Sequence, residues 1–271
     1  MRRRLDSELV RRGLAGSRSE AVDAIRSGIV TVGGYPARKA GTLVASGDPV
    51  AMVGRSLRFV SRGGDKLDAA LERFAVDVTG MHALDAGAST GGFTDVLLRR
   101  GVAHVVAVDV GYGQLDWSLR DDERVTVLER TNVRALTEEM LPYRPNLITA
   151  DLSFISLRTV LPTLVGVSAE RMDAVLLVKP QFEARREDVG SGGVVRDPDS
   201  WARSLHAVGA ACRALGLSVH AVMASPLTGP AGNVEFLLHA SAPAGTSAPS
   251  DPEGMVAAAV AEGSERGGAR A

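Results

Sequence analysis

Four short apolar runs, each stopping at a charged side chain, constrain this chain more than any other feature. They are Val105-Val106-Ala107-Val108 before Asp109, Val125-Thr126-Val127-Leu128 before Glu129, Leu147-Ile148-Thr149-Ala150 before Asp151, and Ala174-Val175-Leu176-Leu177-Val178 before Lys179. Runs so short and continuous read as strands buried on both faces, with helical stretches between them, so the pattern predicts a parallel α/β sheet. In such a sheet the polar residues at the carboxyl ends of the strands line one crevice, where ligands bind. The chemistry of Asp109, Asp151 and Lys179 is therefore read together.

Ahead of these runs, Leu84-Asp85-Ala86-Gly87-Ala88-Ser89-Thr90-Gly91-Gly92-Phe93-Thr94 takes an apolar segment through a glycine-rich turn into a helix. The glycines allow a tight turn and a close approach to a ligand, and Thr90 and Thr94 are candidate caps. The spacing is not the Gly-x-Gly-x-x-Gly of dinucleotide enzymes, and a structural turn without a ligand is the competing reading. Asp109, about twenty residues further on, is placed to accept hydrogen bonds from both ribose hydroxyls of an adenosine cofactor. Without a ligand, a carboxylate there would be poorly solvated. Hydride transfer and methyl transfer both use this geometry.

Charge divides the chain in two. Residues 1–60 hold 11 Lys and Arg against 5 Asp and Glu, and the remaining 211 hold 20 against 27. A basic module beside a neutral-to-acidic one points to nucleic acid as partner. The module reads as a helix from Leu5 closed by Gly13, a helix from a Ser17/Glu20 capping box to Gly28, a strand over Ile29–Val32 and another over Pro49–Val53. The single cysteine, Cys212, excludes an internal disulfide and fits a reducing cytoplasm. The five histidines are not at metal-ligand spacing, so no metal site is expected. The longest uncharged stretch, Ala214 to Val234, is interrupted by Gly and Pro and cannot span a bilayer, so a soluble protein is expected. Gln181 to Pro198 reads as a lid over the substrate, and residues 241–271 as a flexible tail with a marginal helix near 255–262.

The first sixty residues resemble the S4 RNA-binding domain in Arg4-Leu5-Asp6, Gly13-Leu14, Ser17-Arg18, the strand Gly28-Ile29-Val30-Thr31-Val32 and Gly47-Asp48. The resemblance implies a phosphate-facing surface of Arg2, Arg3, Arg4, Arg11, Arg12, Arg18 and Lys39, with Arg62 beyond a linker at 55–60. A solvated basic face is the plainer alternative.

The chain through His239 resembles the TlyA family of ribosomal RNA 2'-O-methyltransferases, also called haemolysin A, with an FtsJ-like catalytic domain. The matching motifs are Ser61-Arg62-Gly63-Gly64-Asp65-Lys66-Leu67, Asp85 through Thr94, Asp109-Val110-Gly111-Tyr112-Gly113-Gln114-Leu115, Asp151-Leu152-Ser153-Phe154-Ile155-Ser156, Leu177-Val178-Lys179-Pro180-Gln181-Phe182-Glu183, and Gly232-Asn233-Val234-Glu235. The resemblance implies a Rossmann-like methyltransferase domain over 61–240 that uses S-adenosylmethionine. It implies a catalytic tetrad of Lys66, Asp151, Lys179 and Glu235. Cofactor contacts fall on Gly87, Ser89, Thr90, Gly91, Gly92 and Asp109, with Asn132 beside the adenine. The implied substrate is a cytidine ribose in both 16S and 23S ribosomal RNA, for a cytoplasmic monomer with no membrane and no obligate protein partner.

The chemistry is consistent with the motifs. A ribose 2'-hydroxyl is a poor nucleophile until its proton is taken, and Lys179, packed beside Lys66 with its pKa lowered, is the candidate base. Asp151 would stabilise charge near the sulfonium, while Glu235 and Lys66 orient the hydroxyl. One departure is Arg58-Phe59-Val60, where the family linker often carries tryptophan; Phe59 keeps an aromatic ring for stacking. The alternatives are a non-catalytic ribosomal RNA-binding assembly factor on a methyltransferase-like fold, a nicotinamide oxidoreductase lacking its phosphate fingerprint, and a membrane pore lacking any spanning segment.

Overall fold

Backbone pairing, rather than apolar patterning, organises the start of the chain. The computed structural model describes residues 2–15, 17–26, 28–52, 58–244 and 251–268, in two units, 1–58 and 59–271. Of the expected linker, 55–57 lie outside the described residues, as do 245–250 and 269–271 of the expected tail.

The first unit runs β1 (Arg2–Arg4), α1 (Leu5–Arg11), α2 (Arg18–Arg26), β2 (Val30–Val32), β3 (Tyr35–Pro36), β4 (Leu43–Ala45) and β5 (Val50–Met52). The three arginines of β1 form a strand because β4 pairs with it antiparallel, Arg3 opposite Val44. β2 lies between β3 and β5 in a second small sheet. Leu5, Leu9, Ala21, Ile25, Val30 and Val44 form its core, each large side chain contributing roughly 1.5–3 kcal/mol on burial.

The second unit runs α3 (Arg62–Arg73), β6 (His82–Ala86), α4 (Gly92–Arg99), β7 (His104–Val108), α5 (Trp117–Arg120), β8 (Val125–Leu128), β9 (Leu147–Ala150), α6 (Leu157–Gly166), β10 (Met172–Val178), α7 (Pro180–Glu183), α8 (Pro198–Ala214), β11 (Ser218–Ala224), β12 (Phe236–Ala242) and α9 (Pro252–Gly268). The seven-stranded sheet has the order β11-β12-β10-β9-β6-β7-β8. β6 to β10 are parallel to one another, and β12 is antiparallel to both its neighbours. Leu84, Val106, Ile148 and Leu176 pack against α6 and α8 on one face. Ala83, Val105, Leu147 and Leu177 pack against α3 and α4 on the other. The apolar runs are continuous because both faces are covered.

Three expectations are corrected. The tail's helix is longer and better packed than its weak pattern suggests: α9 buries Val256 and Ala259, and Glu262 accepts the Ala224 N–H at 3.2 Å while Arg266 donates to the Ala224 carbonyl at 3.0 Å. Tertiary packing supplies what local propensity lacks. The expected lid is tied to the body instead. Val195 is buried, its N–H donates to Asn233 Oδ1 at 2.9 Å, and its carbonyl accepts from Trp201 Nε1 at 2.9 Å. Phe59 is buried in the α3/α4 core beneath the Arg99 guanidinium, not exposed for stacking.

Candidate active site

Parallel strands deliver their carboxyl ends to one edge, so Asp109 after β7, Asp151 after β9 and Lys179 after β10 reach it in turn. Glu235 reaches the same edge by the opposite route. It immediately precedes β12, whose first residue, Phe236, pairs antiparallel with Val178. The fourth residue, Lys66, lies a turn inside α3, and α3 packs on both β10 and β12.

The four side chains form two ion pairs. Lys66 Nζ donates to Glu235 Oε2 at 2.6 Å, and Lys179 Nζ lies 2.5 Å from Asp151 Oδ1 and donates to Ser153 Oγ at 3.1 Å. Thus Lys179 is paired with Asp151 and Ser153, not packed beside Lys66 alone. Burial disfavours the Lys66 ammonium, but the Glu235 and Asp151 carboxylates outweigh it and raise its pKa above the usual lysine value. Burial likewise disfavours ionised Asp151, and Lys179 and then Lys66 reverse this, holding its pKa below the usual carboxylate range. Arg62, partly buried, sits a turn before Lys66 and adds positive charge near it.

Beside the pairs opens a cleft of about 470 Å³ lined by Gly87, Ser89, Asp109, Gln114, Asn132, Asp151 and the loop Leu152 to Ile155. That volume suits a nucleoside-sized ligand. Gly87, at φ 85°, forms part of the wall, and a Cβ there would stand 2.6 Å from the Asp151 carbonyl oxygen. The backbone approach between β6 and β9 therefore requires glycine. Asp109 is fixed by the Ser89 N–H at 2.9 Å and the Gly111 N–H at 2.6 Å. Each oxygen retains a lone pair for a hydroxyl donor. Asn132 Oδ1 accepts the Arg134 N–H at 3.0 Å, which leaves its amide NH₂ as a donor for the cleft.

The sequence-predicted cofactor residues thus divide. Gly87, Ser89, Asp109 and Asn132 line the cleft, whereas Thr90, Gly91 and Gly92 do not. Gly91, at φ 95°, caps α4 and leaves no room for a side chain beside Leu115 and Leu119. Gly92 packs on Ser61 and Gly64. Neither threonine caps the helix: its N-cap is Gly91, and Thr94 Oγ1 donates to the buried Asp85 carboxylate at 2.7 Å.

Several residues in or beneath the site carry no role in the sequence pattern. Asp85 takes a second hydrogen bond from Thr149 Oγ1 at 3.1 Å, and burial pushes its pKa up to about 7. Its signal was an acid inside an apolar strand. Gln114 lines the cleft and accepts from Ser89 Oγ at 3.3 Å. Phe154 is 92% exposed at φ 64°, 5.4 Å from the Phe182 ring at the cleft rim. An exposed aromatic in a strained backbone conformation is a functional signal that only coordinates reveal.

The basic residues of the first unit are not equivalent. Arg2, Arg3 and Lys39 are exposed. Arg4 and Arg18 pair with Asp6 at 2.8 and 3.1 Å, and Arg11 pairs with Glu8 at 2.6 Å, while all three remain largely exposed. Arg12 is a correction: it pairs with Glu8 at 2.8 Å and donates to the carbonyls of Ala45, Ser46 and Asp48, so it holds the β4–β5 turn. Among the described residues no group of acids, histidines or cysteines could hold a metal ion, and no helix is long and apolar enough to cross a membrane.

Comparison with known proteins identifies what the chain is similar to. The FtsJ-like methyltransferase family model matches residues 59–242, and the S4 domain model matches residues 3–50. The chain is 58% identical over 238 residues to the 16S/23S rRNA (cytidine-2'-O)-methyltransferase TlyA of Mycobacterium tuberculosis, covering 88% of this chain and 89% of that one. It is 37% identical over 237 residues to hemolysin A of Brachyspira hyodysenteriae, covering 87% and 98%. A solved structure of a Streptococcus thermophilus protein described as a hemolysin superposes with a TM-score of 0.80 at 36% identity, covering 100% and 99%.

Proposed function

We propose that this chain, which belongs to the TlyA family and carries its S4 and FtsJ-like methyltransferase domains, methylates ribose 2'-hydroxyls of ribosomal RNA, on cytidine and in both 16S and 23S RNA. The observation that carries the proposal is the convergence of Lys66–Glu235 and Lys179–Asp151 beside a cleft of nucleoside size. S-adenosylmethionine supplies an electrophilic methyl group on a sulfonium. Gly87, Ser89, Asp109, Gln114 and Asn132 would hold it, Asp109 through the ribose hydroxyls.

Lys179 Nζ takes the proton of the 2'-hydroxyl as that oxygen attacks. The ammonium–carboxylate contact of 2.5 Å is the arrangement expected once that proton has arrived, so Asp151 both aims the base and accommodates its charge. Lys66, anchored by Glu235, keeps Asp151 ionised and orients the hydroxyl. A ribose inside an RNA helix cannot enter this edge with its base stacked, so the nucleotide must flip, and the exposed Phe154 ring offers the displaced base a stacking face.

Residues 1–60 act as the RNA-binding module, through Arg2, Arg3, Arg4, Arg11, Arg18 and Lys39, and Arg62 contributes beside the site. Residues 61–240 form the methyltransferase domain. The protein works in the cytoplasm as a monomer, without an obligate protein partner. Purified protein, S-adenosylmethionine and isolated 30S and 50S subunits, followed by mass-spectrometric mapping of methylated nucleotides, test the reading. Methyl groups on cytidine 2'-oxygens support it. RNA binding without transfer would replace it with a non-catalytic assembly factor.

A further inference from the structure

We propose that Glu183 is a positioning residue for methyl transfer, setting the register between the loop that carries Asp151, Ser153 and Phe154 and the turn that carries Lys179 and Phe182. This rests on the methyl-transfer reading above. Glu183 ends α7, four residues after Lys179, and is buried. Its Oε1 accepts the Leu157 N–H at 2.5 Å; its Oε2 accepts Ser156 Oγ at 2.6 Å and Arg158 Nε at 3.1 Å. Arg158 Nη2 also donates to the Glu183 carbonyl at 3.2 Å. Ser156 is the N-cap of α6, and the first turn of α6 has no acidic residue of its own. Glu183 therefore supplies, from another element, the carboxylate that a helix N-terminus favours.

Three ties join the same two segments. The contacts of Lys179 with Asp151 and Ser153 and the Phe154–Phe182 contact are the first two, and both change during a turnover: the ion pair is weakest while Lys179 is uncharged and tightens as it receives the proton, and the ring contact gives way as a nucleobase arrives. The third, through Glu183, touches neither reactant and can hold while they change. The Asp151–Ser156 loop needs such a hold because Phe154 sits at φ 64°, a conformation that side chains other than glycine rarely adopt. Burial raises the Glu183 pKa despite its donors, so stability alone is a poor reason for a carboxylate here. A base placed about 1 Å wrongly loses on the order of 100-fold in rate, and Glu183 acts against that loss.

Steady-state methyl transfer to ribosomal subunits by the full chain, combined with hydrogen exchange, tests the inference. Glu183→Ala should lower kcat about 10- to 100-fold with the KM for S-adenosylmethionine and RNA changed less than about threefold. Glu183→Gln, whose amide oxygen still accepts the Leu157 N–H, should recover kcat to within about tenfold of wild type. Exchange at residues 151–157 should accelerate in Glu183→Ala while β10 stays protected. An unchanged kcat, unchanged exchange in that loop, or a loss fully explained by a smaller folded fraction on active-site titration overturns the proposal. Should Glu183→Ala fail to fold, Ser156→Ala, which removes the hydroxyl donor to Glu183 together with the cap that accepts the Arg158 N–H, must lower kcat and speed exchange in the same loop; if it does neither, the proposal is wrong. A wild type that transfers no methyl group refutes the methyl-transfer reading instead, and exchange then decides whether Glu183 holds the loop.

Discussion

Both units meet their cations with carboxylates, but in opposite senses. In the first, the carboxylates are buried and the guanidiniums stay in water: the side chains of Arg4 and Asp6 are 52% and 2% exposed, those of Arg11 and Glu8 48% and 0%. At the candidate site of the second, the cations are inside too: Lys66 and Glu235 are 10% and 1% exposed, Lys179 and Asp151 10% and 23%. An arginine at the surface can share its fork with a phosphate at little desolvation cost. A lysine inside keeps its partner until a reactant enters. The first arrangement suits a long, forgiving RNA surface, and the second a site where one proton must move to one atom.

The sharpest break in that contrast is Lys179→Ala. Loss of a positioned base should lower methyl transfer about 10²- to 10⁴-fold, with binding of S-adenosylmethionine and RNA retained in filter and calorimetric assays. A variant within tenfold of wild type would remove Lys179 from the chemistry. Next comes the Lys66–Glu235 pair. Glu235→Ala leaves a buried ammonium without its partner and should cost about 3–5 kcal/mol in urea unfolding. The double substitution Lys66→Met with Glu235→Leu should restore much of that stability while transfer stays absent. A single variant as stable as wild type would show that the pair is wet in solution.

For the first unit the expected effects are smaller and lie in RNA affinity. Replacing Arg2, Arg3 and Lys39 with alanine should weaken RNA binding and flatten its salt dependence by about 0.7–0.9 in log–log slope for each phosphate no longer neutralised. Stability should shift by no more than about 0.5 kcal/mol. Arg12→Ala should do the reverse, because its guanidinium satisfies three carbonyls of the β4–β5 turn: a lower unfolding midpoint and an unchanged salt slope. Equal salt effects from Arg12 and Arg2 would erase the distinction between a buttress and an RNA-binding side chain.

How much of the fold and the site is legible in the sequence follows from the range over which each signal acts. The central strands and the acids or lysine that close them can be read locally, since burial on both faces writes itself into consecutive residues. The placement of Glu235 cannot: its strand reverses direction, and only the pairing of Val178 with Phe236 brings it to the edge. β1 is invisible because arginines carry no strand pattern and β4 supplies the reason for it. α9 looks weaker than it is for the same cause, its stability coming from β11 and α8. Thr90, Gly91 and Gly92 belong to the glycine-rich motif, but a motif cannot separate residues that line the cleft from residues that make the turn. Phe154 and Glu183 sit inside recognisable motifs without roles there, because exposure and cross-loop hydrogen bonding are properties of the folded chain.

Asp85 is a buried carboxylate held by two threonine hydroxyls rather than by a cation. Glu8 is drawn down to about 2, first by Arg11 and then by Arg12, so its contribution to stability is present above the ordinary carboxylate range and is lost as pH falls through about 2. Asp85 is pushed the other way, up to about 7, because burial outweighs the two threonine hydroxyls and Asp151 adds repulsion. The folded state therefore holds the Asp85 proton more tightly than the unfolded state. Its stabilising contribution is complete below about pH 4 and is lost as pH rises to about 7, with a slope of at most about 1.4 kcal/mol per pH unit. Asp85→Asn keeps an oxygen acceptor for Thr94 or Thr149 and cannot ionise. Urea midpoints between pH 5 and pH 8 should thus fall further for wild type than for Asp85→Asn, the difference isolating this group from histidines that titrate in the same interval. Equal pH dependence in the two proteins would mean that Asp85 is ionised throughout and has a compensating charge or water beside it, and the contrast between paired and unpaired buried acids would not hold at this position.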